Sequence, residues 1–455
     1  MSASRPRTFR QLWPELALVT LGLLVRVAMN ASYDVRWSYD FDDHFAYVDH
    51  LAHAWSWMPL AASRAGYHPP LYYALAALLV RAGASVQQLG WISIASGCAR
   101  LMLVLYCVER WLDDRAARLG ALAIAALLPV SIHTDGMLTN EALNALAGTA
   151  ATLLAARYFF DGDGDGDGAA RWRRGLELGA VIGVALLIKT SALVILAAVA
   201  LVAVAEAIDR GRAARARPLA AVLVACALVS GAWFAHNRAA HGKWITTGFD
   251  GADAHRTAGY LDAPYWRRRP PDWFVRFSPR IFVMPFAPTG LWPHPSFATP
   301  LFASAFVDYY NFGYAPYPAE LDSPLRANYK PLRRDVLALS RVAIAAGALV
   351  AAATVAGFFA CVVACARRRD WPRLVMLAIP ALAVAGQMHF AIEYPIDSEG
   401  LIKASYLQFA AAPLCAVFGV AVAWLWRRRR TRALAVLECA ALAALAVYDV
   451  ACRVL

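Results

Sequence analysis

Between Ser32 and Leu71 the chain gathers five aspartates (Asp34, Asp40, Asp42, Asp43, Asp49) and four histidines (His44, His50, His53, His68), in a sequence that is otherwise mostly apolar. Carboxylates beside a bilayer are costly unless they face water or serve a site. A helix beginning near Asp42 sets Asp43, Tyr47, His50 and Ala54 on one face, with Asp40 at its entry. Asp40 or Asp42 can cap such a helix, but one cap accounts for one aspartate, not for three within four residues. A carboxylate placed there can take a proton from an acceptor hydroxyl or amine. The base is left open between Asp40 and Asp43. His44 is suited to holding that carboxylate or positioning a substrate, with an ordinary surface histidine as the alternative.

Cations form the complementary set. Lys189 lies between two apolar runs with no acidic neighbour in sequence. A lysine at an outer membrane edge needs an anion, which a lipid phosphate would supply; snorkelling to the surface is the alternative. Lys403 follows Asp397 and Glu399 and is suited to phosphate or to pairing with those acids. Arg26 and Arg100 fall inside apolar spans and must face protein, water or an acid, with Glu177 and Glu141 as candidates. Asn140 and Glu141 sit on a short polar turn, where Asn140 can also cap the helix that follows. Paired acids at Asp40, Asp43 and Glu141 are ligands of the type that magnesium or manganese takes. The acidic tract DGDGDGDG at 161–168 lacks the glutamate a calcium loop needs at its twelfth position: Trp172 or Arg174 stands there. It reads as a flexible cytoplasmic linker.

The elements that must position these groups are membrane helices. Hydrophobic residues make up 60% of the 455, and mean hydropathy is +0.47. Apolar runs recur along the whole length, which makes the chain an all-α, polytopic membrane protein with about eleven spans. The basic residues fall in clusters between spans, at 110–118, 171–174, 210–217, 367–369 and 427–430. All of these lie on one side of the threading. The formal charge of +12 therefore orients helices and does not imply nucleic acid. The N-terminus is placed in the cytoplasm, the C-terminus outside, and the basic start followed by an apolar run is read as an uncleaved first span. The first outside stretch, 32–90, includes a short helix after His68-Pro69-Pro70, lying in or dipping into the outer surface with Tyr72 and Tyr73 at the interface. A long proline-broken outside loop spans 238–334; its stretch 273–286 reads as amphipathic and surface-lying, and the loop as the place of acceptor specificity. Most of Trp233, Trp244, Trp266, Trp273 and Trp292 read as interface anchors, with one or two able to stack on a sugar face. All eight cysteines lie in or beside apolar segments, which predicts packing and no disulfide framework.

Several motifs in this order carry a resemblance. Asp40, His44 and Tyr47 form D-x-x-x-H-x-x-Y, His68 to Tyr73 read HPPLYY, Thr139 to Leu143 read TNEAL, Leu187 to Leu193 read LIKTSAL, and Lys403 to Tyr406 form K-x-S-Y. In sequence and sidedness they resemble the GT-C superfamily of membrane glycosyltransferases, near the dolichyl-phosphate-mannose protein mannosyltransferases and the bacterial lipid A aminoarabinose transferases. The first two hundred or so residues carry most of the resemblance. It implies one integral-membrane glycosyltransferase domain over 1–455, with the active site on the periplasmic face of a bacterial inner membrane. It also implies inverting transfer of a sugar from a polyprenyl-phosphate donor to a lipid, glycan or protein acceptor. Asp40 or Asp43 is then the base, and His44, Tyr47, His68, Asn140, Glu141, Lys189, Lys403 and Tyr406 contact substrate. The family's adjacent Asp-Glu pair is absent, since Phe41 follows Asp40. Two rivals are a transporter or flippase of lipid-linked sugars, which would carry its ionisable groups at mid-membrane with internal repeats, and a polysaccharide polymerase or ligase working from the large loop.

Overall fold

The computed structural model describes residues 9–31, 33–160, 168–211, 217–251, 260, 262–283, 285, 296–307, 334–394 and 402–454. Among them there is no strand. The helices are α1 (Phe9–Ala31), α2 (Phe41–Ala54), α3 (Leu71–Arg81), α4 (Val86–Trp111), α5 (Arg115–Leu127), α6 (Pro129–Thr134), α7 (Glu141–Phe159), α8 (Gly168–Ile188), α9 (Leu193–Asp209), α10 (Leu219–His241), α11 (Pro271–Val275), α12 (Ala298–Phe306), α13 (Arg334–Arg368), α14 (Trp371–Glu393), α15 (Ala411–Arg427) and α16 (Arg432–Val454). Seven of these, α4, α9, α10 and α13 to α16, are long and apolar enough to cross a membrane among the described residues. With α1, α5, α7 and α8 packed among them, they correspond one for one to the spans expected from the sequence. The protein is a multi-pass membrane protein.

Burial fits a lipid solvent. Leu228, Phe359, Val436 and Leu201 project large apolar side chains outward from the bundle, as helices do where the surroundings are as apolar as the core. Inside, two layers form around separate cores. One joins α4, α5, α12, α13, α15 and α16 through residues such as Val104, Phe418 and Leu445. The other joins α7 to α10 and α14 through Tyr158, Ile195 and Ile379. Side chains fix the ends on the basic side: Asp114 caps α5 by accepting from Ala117 N at 2.9 Å and also takes Arg427 of α15. Buried Glu15 of α1 faces Arg118 at 3.5 Å, and Arg171 of α8 donates to buried Glu206 of α9 at 2.6 Å.

A third, smaller core holds α2 and α3 against the start of α4 and includes Tyr47, Tyr72, Tyr73 and Leu89. Tyr72 and Tyr73 are therefore not at a membrane interface; both are fully buried, because α3 packs along α2 and Tyr73 meets His44 there. Trp233 and Trp273, expected as anchors, are buried as well, whereas Trp244 and Trp266 are exposed. Around 271–283 the loop does lie on the surface: Trp273 and Ile281 point inward, and Val275, Phe277, Phe282 and Val283 point out. Asp161–Asp167 and Trp292 lie outside the described residues.

Candidate active site

Asp40 stands immediately before α2 in the left-handed region, φ 58° and ψ 23°, where a non-glycine residue is strained and aspartate is among the few that tolerate it. Its backbone carbonyl accepts from His44 N at 3.0 Å, but its side chain caps nothing. The carboxylate turns to Lys403 instead, 2.9 Å away. Asp43, one turn on, looks outward to the α2–α3 loop. Its Oδ1 accepts from Ser63 Oγ at 3.0 Å and from Arg64 N at 2.9 Å, so this carboxylate holds the loop that carries Tyr67 and His68.

The second ion pair comes from two helix breaks. α8 ends at Ile188, and Lys189 follows in an extended conformation, φ −157° and ψ 134°, before the chain re-enters helix. Asn140 Nδ2 donates to the Ile188 carbonyl at 3.2 Å, so Asn140 secures that break rather than capping α7. Lys189 then donates to Glu141, the first residue of α7. The acid that Lys189 lacks in sequence is 48 residues away in the chain. Tyr406 lies between the two ammonium groups, its ring centroid 4.3 Å from Lys189 Nζ and 5.6 Å from Lys403 Nζ. Tyr39 takes Lys403 on its own ring at 3.7 Å. Asp397 and Glu399, the sequence neighbours considered for Lys403, lie outside the described residues.

One cleft contains all of this. Asp40, Asp43, His44, His68, Asn140, Glu141, Lys189, Lys403 and Tyr406 line it. Tyr47 is placed elsewhere than expected: it is fully buried and stacks on Tyr73 at 4.2 Å, while Tyr73 shares a 2.8 Å hydrogen bond with His44 Nδ1. It supports the histidine from behind and does not line the cleft. Sequence reasoning missed Arg64, Tyr39, Tyr67, Phe249, Phe390 and Tyr394, which complete the wall. Tyr39 and Tyr67 were legible as neighbours of Asp40 and His68; the other aromatics come from distant turns and carried no local signal.

Electrostatics follow from this enclosure. Burial would raise the Asp40 carboxyl, but Lys403 first, then His44 and Arg64, outweigh it and hold it below the ordinary carboxylate value. Burial pushes the His44 imidazole down to about 4, with Lys189 and Lys403 adding to it and Asp40 opposing. His68 is driven well below its ordinary value, again by burial first and then by Lys189. Both histidines are neutral at pH 7. Asp40 is the most open carboxylate of the two ion pairs, 47% exposed, against 2% for Glu141. Several buried polar atoms at the cleft, His68 Nδ1, Asn140 Oδ1 and Glu141 Oε2, lack a partner among the described residues.

The carboxylates considered for magnesium or manganese are all engaged by protein groups. Among the described residues no three His, Cys, Asp or Glu side chains gather as ligands, and the three carboxylates are engaged by Lys403, by Ser63 with Arg64 N, and by Lys189.

Residues 67–234 match the family model of dolichyl-phosphate-mannose-protein mannosyltransferase. Two solved structures share the architecture. The archaeal oligosaccharyltransferase AglB from Archaeoglobus fulgidus, solved with an inhibitory peptide and a dolichol-phosphate, is 15% identical with a TM-score of 0.53, over 98% of this chain and 56% of that one. ArnT from Cupriavidus metallidurans, bound to undecaprenyl phosphate, is 14% identical with a TM-score of 0.50, over 97% of this chain and 76% of that one. The fold is the one these two structures share. No curated protein sequence matches the chain, and the chain spans a little over half the length of the oligosaccharyltransferase it aligns with. The matched stretch 67–234 carries His68, Asn140, Glu141 and Lys189, whereas Asp40, Lys403 and Tyr406 come from either side of it.

Proposed function

We propose that the protein is an inverting glycosyltransferase that moves a sugar from a polyprenyl-phosphate donor to a lipid, glycan or protein acceptor at the outer face of a bacterial inner membrane. One observation supports this above the rest: Asp40, from the first loop, shares a single cleft with two lysines from distant helix breaks. An acid and a pair of cations at one cavity is what this reaction requires. The acceptor O–H or N–H gives its proton to Asp40 while its lone pair attacks the anomeric carbon. The bond from that carbon to the phosphate oxygen breaks, and its electron pair leaves with the phosphate. Lys189 and Lys403 neutralise the departing polyprenyl phosphate.

Asp40 is the base in this scheme, and Asp43 is structural, because Asp43 already accepts two hydrogen bonds that order its loop. In the resting cleft each lysine is paired with a carboxylate, so the site is poised but unspent. A phosphate drawn to Lys403 loosens its grip on Asp40, and the carboxylate, no longer held low, becomes a better proton acceptor. The unpartnered His68, Asn140 and Glu141 atoms suit a ligand rich in hydroxyls, and the ring faces of Tyr67, Tyr394 and Phe390 suit the apolar face of a sugar. Transfer from a radiolabelled undecaprenyl-phosphate sugar to membrane extracts is the test. Transfer retained in both Asp40→Asn and Lys189→Met would overturn the scheme.

A further inference from the structure

Below the cleft lies a second set of polar side chains, none of which lines it. Asp135, fully buried, accepts from Arg26 Nε at 2.7 Å and from Arg100 at 3.2 Å. Arg100 uses its other terminal nitrogen to donate to Gln408 Oε1 at 2.9 Å, and Ser131 Oγ donates to the same oxygen at 2.7 Å. Arg26 spends its remaining donors on the carbonyls of Gly22, Ala125 and Ala126, satisfying the last turn of α5 just before α6 begins. Gly97 of α4 leaves the room: a Cβ there would lie 2.1 Å from the Asp135 carboxyl carbon.

Two arginines and one aspartate buried together are expensive, and apolar residues of similar size usually hold a bundle as well or better. What such a set does supply is register. Ser131 and Asp135 sit on the segment that ends in Asn140 and Glu141. Gln408 sits in the 3-10 turn Ala404–Ala410, five residues beyond Lys403, and that turn also carries Tyr406. One planar guanidinium, that of Arg100, therefore holds the two halves of the cleft, with both of its contacts fixed in a fork geometry.

We propose that Arg100 and Gln408 are positioning residues: they set the separation between the Glu141–Lys189 pair and the Asp40–Lys403 pair, and so the width of the seat for the donor phosphate. That use of the seat rests on the transfer reaction proposed above; the spacing itself does not. The purified full-length protein in detergent tests both. Lys403 modification by a water-soluble amine reagent, read by peptide mass spectrometry, is compared in wild type, Gln408→Leu, Arg100→Met and Gln408→Glu, with exposed Lys243 as the reference. Gln408→Glu keeps an acceptor for Arg100 and Ser131. Gln408→Leu and Arg100→Met are expected to speed Lys403 modification at least about fivefold and to weaken undecaprenyl phosphate binding about tenfold, while Gln408→Glu stays within about twofold of wild type in both. Unchanged Lys403 reactivity in Gln408→Leu overturns the positioning role, and so does Gln408→Glu behaving like Gln408→Leu, which would mark plain loss of packing. Wild-type protein that does not bind undecaprenyl phosphate overturns the proposed reaction instead, and the modification rates then decide the spacing alone.

Discussion

Asp40 and Asp43 are three residues apart, carry the same side chain and line the same cleft, yet their partners differ. Asp40 gives up the helix cap, accepts a strained backbone and meets a lysine; Asp43 is consumed by a loop. The contrast makes a sharp prediction. Asp40→Asn removes the proton acceptor and should lower kcat by about 10²- to 10⁴-fold. Asp43→Asn keeps an amide oxygen for Ser63 and Arg64 N and should leave kcat within a few-fold of wild type. Asp43→Ala, which releases the loop, should raise KM. Steady-state transfer kinetics on the three variants separate these outcomes; equal loss in Asp40→Asn and Asp43→Asn would reassign the base.

The neutral histidines add a pH dependence at the same scale. His44 titrates near 4 when folded and near 6.5 when unfolded. Between those values the unfolded chain holds a proton that the folded protein does not. Stability therefore falls as pH drops through that window, by on the order of 3 kcal/mol from His44 alone, and His68 acts in the same sense. Thermal unfolding in detergent from pH 7 to pH 4 should show the fall, and His44→Gln should flatten it. A profile that is level in wild type, or unaltered by that substitution, would refute the neutral buried imidazole. The sequence made these residues visible as a cluster of titratable types in an apolar chain. It did not reveal their partners. Lys189 and Glu141, and Lys403 and Asp40, meet across 48 and 363 residues, and no spacing rule reaches that far.

At the scale of elements, legibility followed the strength of the hydrophobic signal. Every apolar run became a helix because a backbone in lipid must satisfy its own hydrogen bonds. What failed was the environment of the polar residues on those helices. Arg26 and Arg100 were matched to Glu177 or Glu141; both in fact reach Asp135, and Glu177 pairs with Arg173 on its own helix. Tyr72 and Tyr73 looked interfacial by type, yet α3 turns them inward. Contacts between helices depend on small residues that sequence reading passes over. Gly175, Gly179 and Gly183 of α8 recur every fourth residue, and a Cβ on Gly179 would stand 2.2 Å from the Val222 carbonyl oxygen of α10. That close approach is how membrane helices gain packing without a hydrophobic driving force. Gly179→Leu should force α8 and α10 apart and destabilise the protein by about 1–3 kcal/mol or more, read as a lowered unfolding temperature in detergent. An unchanged temperature would mean that the two helices are not held by this contact.

At the scale of the whole molecule, the two faces of the bundle carry different chemistry. Arginines at Arg110, Arg118, Arg173, Arg174, Arg210, Arg368 and Arg427 to Arg430 ring one end of the helices. The cleft, the tyrosines around it and the surface-lying stretch 271–283 occupy the other. The density of arginine between short connections orients helices in a membrane, whereas the arginines of the long loop weigh little; the reaction proposed above puts the ringed end in the cytoplasm and opens the cleft outside. This sidedness matters to the reaction, because a donor carried on a polyprenyl phosphate is bound to the membrane and must meet its enzyme on the face where it is presented. Exposed Asp42 lies on α2 beside the cleft, and exposed Arg429 lies between α15 and α16. In a Cys439→Ser background, Asp42→Cys should react with a membrane-impermeant maleimide in spheroplasts, and Arg429→Cys should react only after permeabilisation. The opposite pattern would turn the cleft toward the cytoplasm, where soluble activated sugars are the available donors, and would remove the reason for two lysines set to receive a lipid phosphate from outside.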